Sequence, residues 1–312
     1  MGRTDVCHFA LMLAAVGLSY LLPFELVLLS YVILGPAHYL TEISWLHDRS
    51  YFLPHRGVAL TLVVAAIALS FLESPFWYGV AVWVALVVCA ALAATRTALQ
   101  AMLLLMAAAA VTLFFANRTN GFAIVGVLLP TLIHVSLFTL VFMTLGAARS
   151  RSPIQFGLVA AYLAAIVLIL ALPPSAATVI PSLASFAQQS FGNVPQALGY
   201  ALGIPHLKLD ARLTGLLSFV YTYHYLNWFI KAEVIRWADV PKARLAAVAA
   251  ASLGATALYF YDYKIGFAVL LGLSLTHVLL EFPLNTLSLR QLGALAGESL
   301  ARRPQRAKAR QA

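Results

Sequence analysis

Three histidines in this sequence are each followed by a carboxylate four residues later. The pairs are His38 with Glu42, His206 with Asp210, and His277 with Glu281. Residues four apart lie on one face of an α-helix about one turn from each other, so each pair can direct an imidazole and a carboxylate towards one point. Nitrogen and oxygen ligands that project from facing helices are what a transition metal ion such as iron binds in a helical bundle.

Two more histidines, His134 and His224, fall within apolar stretches, and His47 follows the first pair closely enough to cap a site there. Ionisable groups inside a membrane span are costly and by default mark function, so these residues are further candidate metal ligands. Three polar side chains near His224 are candidate catalytic residues that line a pocket or hold the imidazole by hydrogen bonds: Tyr223, Tyr225 and Asn227.

The composition predicts the elements that carry these residues. Of 312 residues, 62% are hydrophobic and only 10% are charged, whereas a soluble domain has about 25% charged residues. We therefore predict an all-α fold, a polytopic transmembrane helical bundle of about ten helices. The predicted helices are 6–22, 26–42, 57–72, 76–95, 97–116, 121–146, 154–172, 213–230, 245–260 and 265–284.

The same composition excludes other classes of protein. Two cysteines, Cys7 and Cys89, are too few for a disulfide framework, and no Cys-x-x-Cys motif is present for zinc or redox chemistry. The net charge of +9 could indicate a nucleic-acid partner, but the basic residues lie between apolar runs and in the tail. Membrane lipid is therefore the predicted partner, and nucleic acid is not.

The distribution of Lys and Arg predicts the orientation of the bundle. If the N-terminus is inside, sixteen of the 20 basic residues fall on the inner side, and the other four are Arg118, Lys208, Arg212 and Lys264. Both termini are then cytoplasmic. Residues 1–288 form the transmembrane domain, 173–212 form an outer or re-entrant segment rich in proline, and 289–312 form a basic cytoplasmic tail.

This topology places most of the candidate ligands at one depth. Six of them converge in the cytoplasmic half of the bundle: His38, Glu42, His134, His224, His277 and Glu281. His206 and Asp210 fall on the outer side unless the 173–212 segment folds back into the bundle, and the sequence leaves these two possibilities open.

Two short motifs carry a family resemblance. Gly203-Ile-Pro-His206-Leu-Lys-Leu-Asp210, and more loosely Gly35-Pro-Ala-His38-Tyr-Leu-Thr-Glu42, resemble the Gly-x-Pro-His-Gly-x-x-Asp signature of the Brp/Blh-type bacterial membrane carotenoid dioxygenases. The resemblance implies a multi-helix membrane protein whose histidines hold a single non-haem iron. The sequence departs from the family at the second glycine, where Leu207 or Tyr39 stands, and it has no His-x-x-x-His pair.

These observations predict an oxygen-dependent, non-haem iron oxidoreductase or oxygenase in the bacterial inner membrane, acting on a hydrophobic substrate with O2 and an electron donor. In a dinuclear site Glu42 and Glu281 are ligands; in a mononuclear site they orient the imidazoles. Manganese, copper and zinc suit the same ligands. Two alternatives stay open: a transporter whose His/Glu chain relays protons or metal ions, and a haem-binding electron carrier.

Overall fold

The computed structural model of the protein describes residues 3–72, 75–95, 97–116, 129–191, 210–231, 236 and 239–309. Over these residues the regular structure consists of eleven helices and a single 3-10 turn, Ser50–Phe52, with no strand. The helices are α1 (Arg3–Leu21), α2 (Pro23–His47), α3 (Arg56–Leu69), α4 (Pro75–Ala94), α5 (Ala98–Ala116), α6 (Leu129–Phe138 continuing as Thr139–Ser150), α7 (Pro153–Ala171), α8 (Pro181–Phe191), α9 (Ala211–Ile230), α10 (Lys242–Tyr261) and α11 (Tyr263–Ala309).

Seven of the described helices are long and apolar enough to cross a membrane: α1, α2, α4, α6, α7, α10 and α11. The protein is therefore an all-helical membrane protein. Two further apolar helices, α3 and α5, are shorter. Helix α9 has 20 residues but carries many polar side chains, and half of its residues are buried. A helix that is enclosed by other helices needs no lipid-facing surface, which explains why α9 can be this polar.

Each of the ten predicted stretches coincides with a helix, although the first part of 121–146 lies outside the described residues. The structure adds α8 within the segment 173–212, and it continues α11 without a break into the tail as far as Ala309. Both additions are less apolar than a membrane span, so hydropathy alone did not give their bounds. The cytoplasmic orientation of the termini stays a prediction.

The core forms around α2, α9 and α11, which have the most buried residues among the described helices. One cluster joins α11 to α2, α3 and α4 through Leu46, Leu62, Val82, Leu279 and Phe282. A second joins α9 to α1, α6 and α7 through Met12, Val135, Tyr162, Phe219 and Tyr223. Helices α2 and α11 contribute to the first cluster and α6 and α9 to the second, and these four helices carry the buried histidines of the described residues.

Two stretches of π-helix interrupt the regular winding. Ser30–Leu34 lies within α2, one residue before Gly35, and Leu129–Phe138 forms the start of α6. A π-helical turn rotates the residues that follow it relative to an α-helix and often occurs at functional sites. His134 lies inside the second stretch, and His38 comes one turn after the first.

An ion pair joins the end of α2 to the start of α10. The Arg244 guanidinium donates hydrogen bonds to both oxygens of the Asp48 carboxylate, at 2.6 and 2.9 Å. These bonds lower the pKa of Asp48 below its ordinary value. Because both side chains are partly exposed to solvent, the pair positions the two helix ends more than it adds stability.

Glu25 ties the segment before α8 to α2. Its Oε1 accepts hydrogen bonds from Thr178 Oγ1 (2.8 Å) and from the backbone N–H groups of Val179 (2.8 Å) and Ile180 (2.7 Å).

We expect Glu25→Ala to lower the free energy of unfolding by about 1–2 kcal/mol, because three donors lose their acceptor. Thermal unfolding in detergent measures this loss. Glu25→Gln keeps an acceptor oxygen and should recover most of it; an alanine variant as stable as wild type would contradict the prediction.

Candidate metal centre

Four helices each contribute one buried histidine to a single cluster. His38 lies on α2, His134 on the π-helical part of α6, His224 on α9 and His277 on α11. Each is at most 8% exposed. Polar side chains this deeply buried are costly unless they have hydrogen-bond or metal partners, so their partners decide how the cluster is interpreted.

The four imidazole rings form one connected group, in which each ring contacts two others. His38, His224 and His277 each offer a ring nitrogen, and these three atoms all lie within 4.8 Å of one another. The ring centroid of His38 is 4.8 Å from that of His224 and 5.4 Å from that of His277. His134 closes the group, with ring centroids 5.3 Å from His224 and 5.1 Å from His277. The three-histidine group is therefore part of a four-histidine cluster.

Two buried glutamates complete the cluster. Glu42 Oε2 lies 3.1 Å from His38 Nε2, and Glu281 Oε2 lies 3.4 Å from His134 Nε2. Neither of these histidine nitrogens is aligned for a hydrogen bond. Ligand atoms that are each about 2.0–2.2 Å from one metal ion lie roughly 3.0–3.5 Å apart. The spacing of both pairs is therefore that of neighbouring metal ligands.

Most imidazole nitrogens in the cluster have no well-aligned hydrogen-bond partner among the described residues. Of eight ring nitrogens, seven are buried without a well-aligned partner: both of His38, both of His134, both of His277, and Nε2 of His224. The backbone groups of Leu273 and Ser274 lie close to the His277 ring. An unsatisfied buried polar atom costs about 1–3 kcal/mol, so native proteins rarely leave several together. A bound cation would satisfy several of these lone pairs at once and would also compensate the two buried carboxylates.

Neighbouring side chains hold the rings in position. The eighth nitrogen, His224 Nδ1, is 2.7 Å from Thr139 Oγ1. Histidines that ligate metals usually have such an outer partner, which fixes the ring orientation. Tyr39 stacks on His277 with ring centroids 4.3 Å apart, and its hydroxyl is hydrogen-bonded to that of Tyr225 at 2.6 Å. The Tyr225 ring in turn lies 4.9 Å from His38.

A cavity of about 820 Å³ connects the cluster with one end of the bundle. The residues of the cluster that line it are His38, Glu42, His224 and Glu281, together with Thr139 and Asn227. Lys231, just after α9, also lines it, and its charge interacts with Glu42 and Glu281. The cluster is therefore accessible to small molecules although its residues are buried.

The structure brings together six of the predicted ligands: His38, Glu42, His134, His224, His277 and Glu281. Of the predicted catalytic residues, Tyr225 contacts His38, and Asn227 is buried at the cavity wall. Tyr223 lies elsewhere, in the second core cluster, where its ring stacks on Phe219. It fills the core there rather than the pocket.

Two of the remaining predicted ligands, His47 and Asp210, are not in the cluster. His47 is exposed at the end of α2, with Nδ1 3.2 Å from the Tyr51 hydroxyl. Asp210 precedes α9 and accepts a hydrogen bond from the Leu213 backbone N–H at 2.8 Å, so it is an N-cap rather than a ligand. Its sequence partner His206 lies outside the described residues. The predicted pairing of His206 with Asp210 therefore stays a prediction.

Three residues next to the cluster were not among the predicted site residues: Tyr39, Thr139 and Lys231. Thr139 and Tyr39 are ordinary residues of apolar helices in the sequence, and only their spatial contacts reveal a role. Lys231 follows α9 and matched the pattern of a positive residue at a membrane boundary. Its interaction with Glu42 and Glu281 is a tertiary contact, so no signal in the sequence identified it.

Comparisons of this chain with protein-family models, with curated proteins and with solved structures gave no match. The conclusions about the site therefore rest on its own geometry. That geometry defines a class: an all-helical membrane protein with a buried cluster of histidine and glutamate side chains that could hold a metal ion.

Proposed function

We propose that the cluster binds a metal ion and that the protein is a membrane-bound metalloenzyme. The observation that carries the proposal is the group of seven buried imidazole nitrogens without well-aligned hydrogen-bond partners, next to two buried glutamates. His38, His224 and His277 would hold the ion, with His134 as a fourth nitrogen ligand. Glu42 and Glu281 would be ligands of a dinuclear centre or would orient the imidazoles of a mononuclear one.

The particular enzyme we propose is a non-haem iron oxidoreductase or oxygenase of the bacterial inner membrane, acting on a hydrophobic substrate with O2 and an electron donor. Nitrogen and oxygen ligands without thiolate suit iron, and also manganese, copper and zinc. When bound, iron would supply one-electron and oxygen chemistry. The chain's own residues bury the imidazoles between four helices and orient the rings through Thr139 and Tyr39.

The resemblance to the carotenoid dioxygenases suggests one kind of hydrophobic substrate. Its stronger motif ends in Asp210, which the structure uses as a helix cap. Its looser motif supplies His38 and Glu42, which belong to the cluster. A carotenoid therefore stays within the proposed substrate class, and only the looser motif supports it.

The packing of the rings argues against the haem-carrier alternative. Two axial histidines of a haem face each other across the porphyrin plane. Here His38 contacts His224 and His277 edge to face, with interplanar angles of 72° and 79°. A macrocycle between these rings would require the helices to separate. The transporter alternative makes a different prediction, since its ions would exchange and cross the membrane.

Elemental analysis of the detergent-purified protein, combined with its optical spectrum, tests the proposal. We expect one or two equivalents of iron per chain and no Soret band. A Soret band would indicate the haem carrier, and freely exchanging metal that crosses a liposome membrane would indicate a transporter. Folded protein that contains no metal, and takes up none when iron(II) is added anaerobically, would rule out the metal site.

A further inference from the structure

The cavity next to the cluster is elongated along the helix axes. On α6 its lining extends from Thr139 to Arg149, and on α11 from Glu281 to Gln291. Each of these stretches covers eleven residues, and the ten steps between its ends, at a rise of 1.5 Å each, correspond to about 15 Å. The inner end of the cavity is therefore the His/Glu cluster, and its mouth lies about 15 Å away.

The wall between the two ends is largely apolar. Five side chains cover it: Phe142, Met143, Leu145, Leu284 and Leu287. Lys231 is the one lining cation placed between the ends: its Nζ lies 5.9 Å from the centre of the Phe142 ring, and its charge interacts with Glu42 and Glu281. An apolar chain fits this wall, because its burial there removes hydrocarbon surface from water.

Two guanidinium groups line the mouth, and each is held by a neutral oxygen. Arg49 donates to the carbonyl oxygen of Trp45 at 3.1 Å, and its guanidinium carbon lies 3.9 Å above the Trp45 ring. Arg149 donates to the side-chain oxygen of Gln291. A guanidinium has five donors, so each group keeps donors for an anion. Asp5 also lines the mouth. Its single negative charge leaves the two arginines with a net positive charge there.

We propose that the cavity binds a single-chain anionic amphiphile, with a carboxylate or phosphate head group on Arg49 and Arg149 and its hydrocarbon chain directed inwards. Binding of the amphiphile does not require the metal. The consequence for chemistry rests on the proposed function: the chain would meet the cluster about 15 Å from its head, roughly a dozen bonds along an extended chain. The enzyme would then act at an internal position of the chain, far from the head group.

The first test compares dodecanoate and dodecyl phosphate with dodecanol, by calorimetric titration of the protein in nanodiscs with empty nanodiscs as the blank. We expect both anions to bind with one molecule per chain. The double variant Arg49→Gln/Arg149→Gln should raise their Kd about tenfold and leave dodecanol unchanged. Arg151→Gln is the matched control, because Arg151 is exposed and does not line the cavity.

The second test fills the cavity next to its apolar wall with a larger side chain. Leu287→Trp should weaken dodecanoate binding about tenfold by filling the space for the chain, whereas Leu289→Trp, on the exposed side of the same helix, should have no effect. The proposal is overturned if dodecanol is affected as strongly as the anions by the arginine substitutions, or if inorganic phosphate binds as tightly as dodecyl phosphate. It is also overturned if all ligands bind the variants and the wild type equally.

These outcomes are separate from those of the metal proposal. The titrations are repeated on protein treated with a chelator, and the metal content of each variant is measured in parallel. Amphiphile binding that persists in metal-free protein supports the cavity assignment even if the metal site fails. Loss of binding in variants with unchanged metal content shows that the arginines act on the ligand and not on the cluster.

Discussion

Replacement of His277 by alanine is expected to lower the bound metal at least about tenfold. His277 lies at the centre of the cluster, in ring contact with His38 and His134 and with a nitrogen in the three-histidine group. Loss of a residue that merely supports a ligand costs about 10–100-fold in metal affinity, so loss of a ligand should cost no less. Elemental analysis of the variant and the wild type, purified side by side, measures the difference.

The same variant should respond differently to a chelator. Metal that binds only the folded state raises the unfolding temperature of the wild type, and chelation should remove this increase. His277→Ala, which holds little metal, should show no further change. His47→Ala is the matched control, because His47 is exposed and its recorded partner is Tyr51. Equal metal content in wild type, His277→Ala and His47→Ala would show that the cluster is not the metal site.

Replacement of Gly266 by alanine is expected to prevent stable folding. Gly266 lies in the first turn of α11, where the chain turns back from α10, and its backbone N–H donates to Asp262 at 2.8 Å. A Cβ atom there would overlap Tyr259 Cα and would lie 2.5 Å from the Tyr259 nitrogen. Because these are backbone atoms, no side-chain rotation relieves the contact. We expect a loss of about 3 kcal/mol or more in the free energy of unfolding.

The yield of monodisperse protein and its thermal unfolding in detergent measure this effect. Gly254→Ala, in α10, is the matched control: no atom lies within 4 Å of the added Cβ. Helix propensity alone should then leave the control unchanged or stabilise it by about 0.5–1 kcal/mol. If both variants fold equally well, α10 and α11 do not approach each other as closely as the structure has them.

The amino-acid sequence by itself determined the class of the fold and most of its helices. Long apolar runs cannot form a soluble surface, and inside a membrane a helix satisfies its own backbone hydrogen bonds. This requirement is local, so hydropathy located the helices that correspond to the predicted stretches 6–22, 154–172 and 245–260. It did not give the bounds of α8, because Pro181–Phe191 is shorter and more polar than a membrane span.

The sequence also identified the six members of the cluster, since a histidine or glutamate within an apolar helix stands out by its cost. The helix period placed His38 with Glu42, and the predicted topology placed all six at one depth. The same reasoning also selected residues with other surroundings. Asp210 has the spacing of a ligand and the contacts of a helix cap, and Tyr223 is next to His224 in the sequence but packs in the core.

Only the tertiary structure decided which of these groups share a site and what surrounds them. The stacking of Tyr39 on His277, the contact of Thr139 with His224 and the position of Lys231 at the cavity wall depend on how four helices pack. Packing joins residues that are far apart in the chain, and helical periodicity has no information about such pairs. The cavity and its arginine mouth exist for the same reason, because a space between helices is a property of their arrangement and of no single helix.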